Sequence, residues 1–461
     1  MTALFWHRRD LRVADNVGLA RAVADGPVVP VFVLDSEVLE HAGPPRVAAL
    51  ADALEALREA YRDRGSDLLV EAGDPTAVLP ALAADHGADA VYWNRDYSGL
   101  ARERDRAVRA ALADDGVAVE TADDALLHAP GSITTNAGEH YSVFSYFWKK
   151  WRDRETEPPA SPPDGDALAE RSGEPLPPLD ATPDATVESV TPEAARERLA
   201  DFCAGDVYRY ADDRDYPARD GTARLGAHLS FGTVGPRTVY AATADAMAEA
   251  PDEDGRESVT EFRRQLAWRE FYAHVLAHQP RLVTESLADW GRAVDWRNDR
   301  EEFAAWTRGE TGFPLVDAGM RQLREEAWMH NRVRMVVASF LTRDLLVDWR
   351  WGYDWFRERL VDHDPANDAG GWQWAAGTGV DPQPYFRVFN PALQCERFDP
   401  EASYVHRHVP ELRDVEPTAV HEWPDLPAEE RATLAPEYLD PVVDHAERRE
   451  AAIAAFEAAR D

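Results

Sequence analysis

The chain runs to 461 residues, 44% hydrophobic and 10% aromatic, which is too long for one ordinary domain and rich enough for two cores. No apolar run reaches about 18 residues, Met1–Arg9 lacks the charged-then-apolar order of a secretory signal, and Cys203 and Cys395 are too few for a disulfide framework or metal knuckle; a reduced cytoplasm is expected and a membrane span is not. Fifty Lys and Arg against 85 Asp and Glu leave a net charge of −35, a self-repelling surface that implies a salt-rich, archaeal cytoplasm and, taken alone, argues against a nucleic-acid partner.

Short β-branched runs predict strands at Leu4–His7, Val28–Leu34, Asp67–Glu71, Ala90–Trp93 and Val117–Glu120. Between them Arg46–Arg62 and Thr76–His86 carry helical period, and this alternation predicts a doubly wound parallel sheet with ligands at the carboxyl ends of its strands. Neither G-x-G-x-x-G nor G-x-x-x-x-G-K-[ST] occurs in this half. The only lysines, Lys149 and Lys150, come next, and from about Glu155 to Pro192 the text turns to Pro, Ala, Asp, Glu and Ser, a solvated connector. Beyond it the spacing predicts helices, including Glu261–His278 and Gln322–Asp348. The expected organisation is an α/β domain over residues 1–133, a connector over 134–194 and an all-α domain over 195–461.

The helical half concentrates unusual chemistry. Ten of the 15 tryptophans fall between residues 268 and 374: Trp268, Trp290, Trp296, Trp306, Trp328, Trp349, Trp351, Trp355, Trp372 and Trp374. A single Trp reads as core, whereas ten among Arg and Asn make stacking or electron transfer a rival. On one helix Phe262, Gln265, Trp268, Arg269 and Tyr272 share a face, either a functional surface or a buried Arg–Glu pair under aromatic cover. Trp328, Asn331 and Met335 are expected to line one side of a second helix, with Arg334 beside them. Asp362, Asp364 and Asp368 could form a calcium loop or a solvated turn, but Asn367 and Gln373 stand where that loop needs Gly and Glu, and no metal is expected.

These segments, with the opening Phe5-Trp6-His7-Arg8-Arg9-Asp10-Leu11-Arg12, the stretch Gly312–Leu323 and the stretch Pro384–Pro391, resemble the photolyase/cryptochrome family through nearly the whole chain. The resemblance implies FAD held in the helical half. Tyr210, Thr222, Arg224 and Leu225 match its tyrosine and phosphate loop, and Arg269, Asn331, Arg334, Asp362, Asp364 and Asp368 match positions around the flavin ring and ribose. It implies a relay of oxidisable indoles in Trp372, Trp349 and Trp296, which with Asp368 form the catalytic set. A flipped pyrimidine dimer would lie between Trp268 and Trp374, lined by Gln265, Asn331 and Met335, with Arg214, Arg332 and Arg387 on backbone phosphates. That local basic rim would answer the charge objection. The implied activity is light-driven repair of UV-damaged DNA by electron donation from reduced FAD, in a cytoplasmic monomer.

Four positions depart from the family pattern: Ala223 and Gly226 replace two serines of the phosphate loop, Asp368 stands where photolyases place Asn, and Gln265 replaces a Glu. They keep a cryptochrome-type photoreceptor as the alternative, although both stacking indoles are present and no long tail follows the core. Six-four photoproduct repair is disfavoured, since its His-rich pocket is not seen. The first domain is implied to hold an antenna, a deazaflavin rather than a folate, at Asp35, Arg46 and Asp96; the competing reading is ordinary polar loops capping a sheet.

Overall fold

The computed structural model describes residues 2–179, 181–288 and 291–460, so Trp290 of the tryptophan cluster lies outside the described residues. Strands β1 (Thr2–His7), β2 (Val28–Leu34), β3 (Leu69–Ala72), β4 (Ala88–Asn94) and β5 (Ala118–Ala122) form one parallel sheet of order β3-β2-β1-β4-β5. Every residue of β2 is buried, as its unbroken apolar run requires of a sheet covered on both faces. Pro30 is tolerated there because β2 pairs with β3 only from Val31 onward, so its missing N–H costs no ladder bond. Strand β3 starts two residues later than its apolar pattern suggests, because the buried Asp67 carboxylate takes hydrogen bonds from Arg58 at 2.9 Å and Arg62 at 3.1 Å. Helices α1 (Val17–Asp25), α2 (Pro44–Arg62), α3 (Pro75–His86) and α4 (Gly99–Asp114) complete this half.

Residues 144–151, within the expected connector, instead form helix α5 (Phe144–Trp151), which buries Phe144, Phe147 and Trp151 in the helical half. After an irregular stretch come α6 (Pro192–Ala204), α7 (Pro236–Glu249) and the 26-residue α8 (Glu253–His278), whose Phe262, Leu266, Ala267 and Phe271 face the large core. The continuous helix expected over Gln322–Asp348 is broken. Helix α9 (Pro314–Glu326) ends at Ala327 with φ +52°, and α10 (Asn331–Ser339) starts afresh, with the His330 ring accepting from Arg332 N–H. A π-turn over Phe340–Asp344 follows, then α11 (Trp349–Arg359), α12 (Pro365–Ala376) and, last, α13 (His445–Arg460). Trp328 therefore precedes α10 rather than sharing its face with Asn331 and Met335. Among the described residues no helix is long and apolar enough to cross a membrane.

The two halves meet across a buried charge cluster. Arg237 on α7 donates to Asp15 at 2.7 Å and to Asp124 at 2.5 Å, and Arg12 donates to the other Asp124 oxygen at 2.6 Å. The approach is close enough that a Cβ on Gly235 would stand 1.8 Å from the Asp15 carboxylate, and one on Gly232 (φ +71°) 2.1 Å from the Arg9 carbonyl.

Candidate functional site

Helices α10 and α12 and the 222–226 loop converge on one pair. Arg334 donates to both oxygens of Asp362, at 3.0 and 2.8 Å, and its Nε donates to the Met329 carbonyl. Burial pushes the Asp362 carboxyl up despite this partner. Gly226 lies against the same carboxylate, 2.8 Å from its would-be Cβ, so a side chain here, serine in the family pattern, would displace the Asp362 carboxylate. The loop bends at Arg224 (φ +44°), whose guanidinium lies 4.1 Å from the Trp328 ring centre, while Thr222 is half-buried and Leu225 buried. Tyr210 is buried against Phe202 and Phe262.

This region fits an anionic group. Arg224 Nε, Arg332 Nε and His330 Nε2 are buried without hydrogen-bond partners. His330 is pushed down to about 4 by burial, with Arg334, Arg224 and Arg332 adding to the effect against Asp215. Unpartnered donors on two guanidiniums and an imidazole are what a diphosphate would satisfy.

Further along α12, Asp364 caps the helix by accepting from Ala366 and Asn367 N–H and takes Arg9 at 2.6 Å. Burial acts against its ionisation, but Arg9 and Arg269 hold it well below the usual carboxylate range. Arg269 is lowered by burial, and its own donors go to the Ala125 and Leu229 carbonyls. Asp368 takes the His363 ring Nδ1 at 2.5 Å and Asp364 N–H at 3.2 Å. The three carboxylates thus have separate organic partners, and no group of three His, Cys, Asp or Glu able to hold a metal occurs among the described residues.

The expected lesion residues lie on neighbouring elements. Trp268 stacks flat on Phe144 of α5, ring centres 3.6 Å apart and 10° from parallel. Gln265 donates to Glu261 at 2.9 Å, Asn331 is exposed at the start of α10, Met335 is half-buried one turn on, and Trp374 is half-buried near the end of α12. The basic rim differs from expectation. Arg214 is ion-paired with Glu261 and Arg332 with Asp215 at 2.8 Å, and of the three expected rim arginines only Arg387 is exposed and outside any ion pair among the described residues.

The indoles of the expected relay change in exposure. Trp372 and Trp349 are buried, Trp372 filling the space left by Gly352 on α11, and Trp296 is partly exposed against Phe456 of α13. Their ring contacts are with Trp306 and Phe356, Tyr353, and Phe456 respectively, not with one another.

Of the antenna set, Asp35 caps the short helix Ser36–Glu40 and meets Arg104 at 3.5 Å, and Asp96 lies 3.8 Å from Arg9. Arg46 donates instead to the His41 carbonyl. Burial lowers it to about 10, and the charges of Asp368 and Tyr353, in the helical half, are what oppose that shift. Between the halves opens a cleft lined by Arg8, Arg9, Asn94, Asp96, Arg269 and Asp364. Arg9, His363 and Phe144 carried no role in the sequence reading; only the opening motif containing Arg9 hinted at one.

Residues 3–164 match the family model described as DNA photolyase, and residues 262–458 match the FAD binding domain of DNA photolyase. The chain is 57% identical to the deoxyribodipyrimidine photo-lyase of Halobacterium salinarum, covering 99% of both chains. It superposes on a bacterial class III photolyase from Agrobacterium tumefaciens with a TM-score of 0.91 at 37% identity, over 100% of this chain and 98% of that one. An archaeal photolyase from Sulfolobus tokodaii, solved with two FAD molecules, gives a TM-score of 0.81 at 31% identity, over 99% and 100%. Fold, site and full-length similarity agree: the chain belongs to the photolyase/cryptochrome family and carries its FAD-binding domain.

Proposed function

We propose that the protein is a deoxyribodipyrimidine photo-lyase that repairs cyclobutane pyrimidine dimers in UV-damaged DNA with light. The observation that carries this reading is Trp268, a half-buried indole held flat on Phe144 at 3.6 Å, beside Gln265 on the same helix. Such a rigid ring is a stacking platform worth roughly 1–3 kcal/mol per base. The full-length identity to the Halobacterium photo-lyase supports it.

FAD, when bound in its reduced form, supplies the light-excited electron that splits the dimer. The residues of this chain bind and orient. Arg224, Thr222, Tyr210 and Leu225 would hold the diphosphate side; Arg334 with Asp362, Arg269, Asn331 and Asp364 would hold ring and ribose; Asp368, on α12, would lie beside the ring. Trp268 and Trp374 would grip the dimer, with Gln265, Asn331 and Met335 around it, and Arg214, Arg332 and Arg387 at the edge. Trp372, Trp349 and Trp296 would pass electrons inward from the surface.

We read residues 1–133 as an antenna half, 134–194 as connector and 195–461 as the catalytic half, in a cytoplasmic monomer. A deazaflavin is the proposed antenna, with Asp35 and Asp96 as its polar contacts and Arg46 at the seam; folate is the alternative, and absorption spectra of the released chromophores separate the two. Asp368, bonded to His363 at 2.5 Å, is the observation that favours a cryptochrome as second reading.

The test is illumination of the reduced protein, in KCl, with a dimer-containing thymine oligonucleotide, following absorbance near 260 nm. Light-dependent recovery that is lost in Trp268→Ala and Trp374→Ala supports repair. A FAD-loaded, photoreducible protein that neither binds nor repairs dimers sinks it in favour of the photoreceptor.

A further inference from the structure

Phosphate binding by a chain of net charge −35 needs cations that its own carboxylates leave alone. Arg214 and Arg332, expected to serve, are already paired with Glu261 and Asp215. The chain's only lysines, Lys149 and Lys150, occupy the last turn of α5, both exposed. Neither enters an ion pair among the described residues. Lys149 Nζ lies 5.6 Å from the ring centre of Tyr146, which is 57% exposed on the same helix.

The opposite face of α5 is anchored to the site. Phe144 stacks on Trp268, and Trp151 Nε1 donates to the buried Glu270 at 2.8 Å. A helical rise of about 1.5 Å per residue puts the lysines roughly 8 Å along the axis from Phe144, between two and three charge spacings of a DNA strand at about 3.4 Å each.

Cations at a helix C-terminus also favour the helix dipole. Arginines fill that position elsewhere, as Arg62 on α2 and Arg308 at the end of the 300–308 helix, so the dipole does not account for lysine here. The chemical difference does. A guanidinium forks readily onto carboxylates, which this surface supplies in excess, whereas a strongly hydrated ammonium remains a free point charge.

We propose that α5 is a DNA contact distinct from the lesion pocket: Lys149 and Lys150 bind two backbone phosphates flanking the flipped dimer, and Tyr146 packs on a sugar or base beside them. This rests on the repair reading. Binding of a dimer-containing duplex to the FAD-loaded protein is measured in the dark as KCl is raised, for wild type, Lys149→Gln/Lys150→Gln and Lys149→Arg/Lys150→Arg. An Arg196→Gln/Arg449→Gln variant makes the same charge change on the exposed faces of α6 and α13.

Two lost contacts lower the log–log salt slope by about 1.8, so a fourfold rise in KCl weakens wild type roughly 12-fold more than the glutamine variant. The arginine variant gives a slope between those of wild type and the glutamine variant, because neighbouring carboxylates capture part of its guanidinium charge. An unchanged slope in the glutamine variant, with wild type still binding and repairing dimers, overturns the proposal and leaves the repair reading standing. An equal change in the Arg196/Arg449 control overturns it too, because the effect would then be net charge. A wild type that binds no dimer DNA overturns the repair reading itself.

Discussion

Glu270 sits one position from Arg269 on α8, and its carboxylate is enclosed by donors: Leu127 N–H, His128 N–H at 3.3 Å and Trp151 Nε1 at 2.8 Å. Burial nevertheless pushes it up to about 7, more than these bonds and Arg269 pull it down. An acid raised on folding binds more protons folded than unfolded. Its contribution to stability is therefore fully present below its unfolded value of about 4.5 and is lost as pH rises through about 7. In Glu270→Gln that titration disappears, while an amide N–H₂ now faces a donor. The stability of wild type relative to this variant should fall between pH 4.5 and 7 by up to ~3 kcal/mol, at 1.36 kcal/mol per unit, read by urea unfolding across that range. A pH-independent difference would place the charge elsewhere. In sequence Glu270 enters only through the alternative of a buried Arg–Glu pair, and its donors at Leu127, His128 and Trp151 lie far off in the chain. Trp268 and Asp362 were legible because aromatic and carboxylate motifs are local, whereas Phe144, 124 residues before Trp268, and Arg9, 355 before Asp364, become partners only through the fold.

The elements were legible where their period was clean. All five strands lie within two residues of their apolar runs, and the proline-rich stretch has no α-helix or strand before Pro192 among the described residues. Two elements were not. Helix α5 is short and mostly aromatic, too brief for a 3.6-residue period to show. The break between α9 and α10 falls at an alanine, with no Gly or Pro to mark it. At the seam glycine is needed twice, at Gly232 for its left-handed backbone and close approach and at Gly235 for close approach alone. Gly235→Ala would drive a methyl into the Asp15 carboxylate and should cost about 3 kcal/mol, within the range for overpacking or breaking a buried ion pair. Arg237→Met, which strips Asp15 and Asp124 of their shared partner, should cost about 3–5 kcal/mol. In both, urea unfolding should separate into two transitions as the halves uncouple; a single, unshifted transition would show that the cluster does not join them.

At the scale of the whole molecule, a charge of −35 sets its response to salt. The Debye length shrinks from about 10 Å at 0.1 M to about 3 Å at 1 M, so repulsion among surface carboxylates fades while the buried seam pairs are hardly screened. The melting temperature should rise steadily with KCl through that range, with sulfate adding to the gain by its exclusion from protein surface. A melting temperature indifferent to KCl would mean that the carboxylates are already neutralised by the many arginine pairs. Dimer affinity should move the opposite way, leaving an intermediate salt at which both are adequate.

The seam cluster also bears on how the protein is made. A ribosome releases Asp15 and Asp124 with a single guanidinium, Arg12, to share, and delivers Arg237 only 113 residues after Asp124. The sheet half emerges first but lacks one of its counter-charges until α7 has been translated. Nascent chains stalled before residue 237 should therefore remain protease-sensitive around Asp124, and acquire resistance together with the first turns of α7.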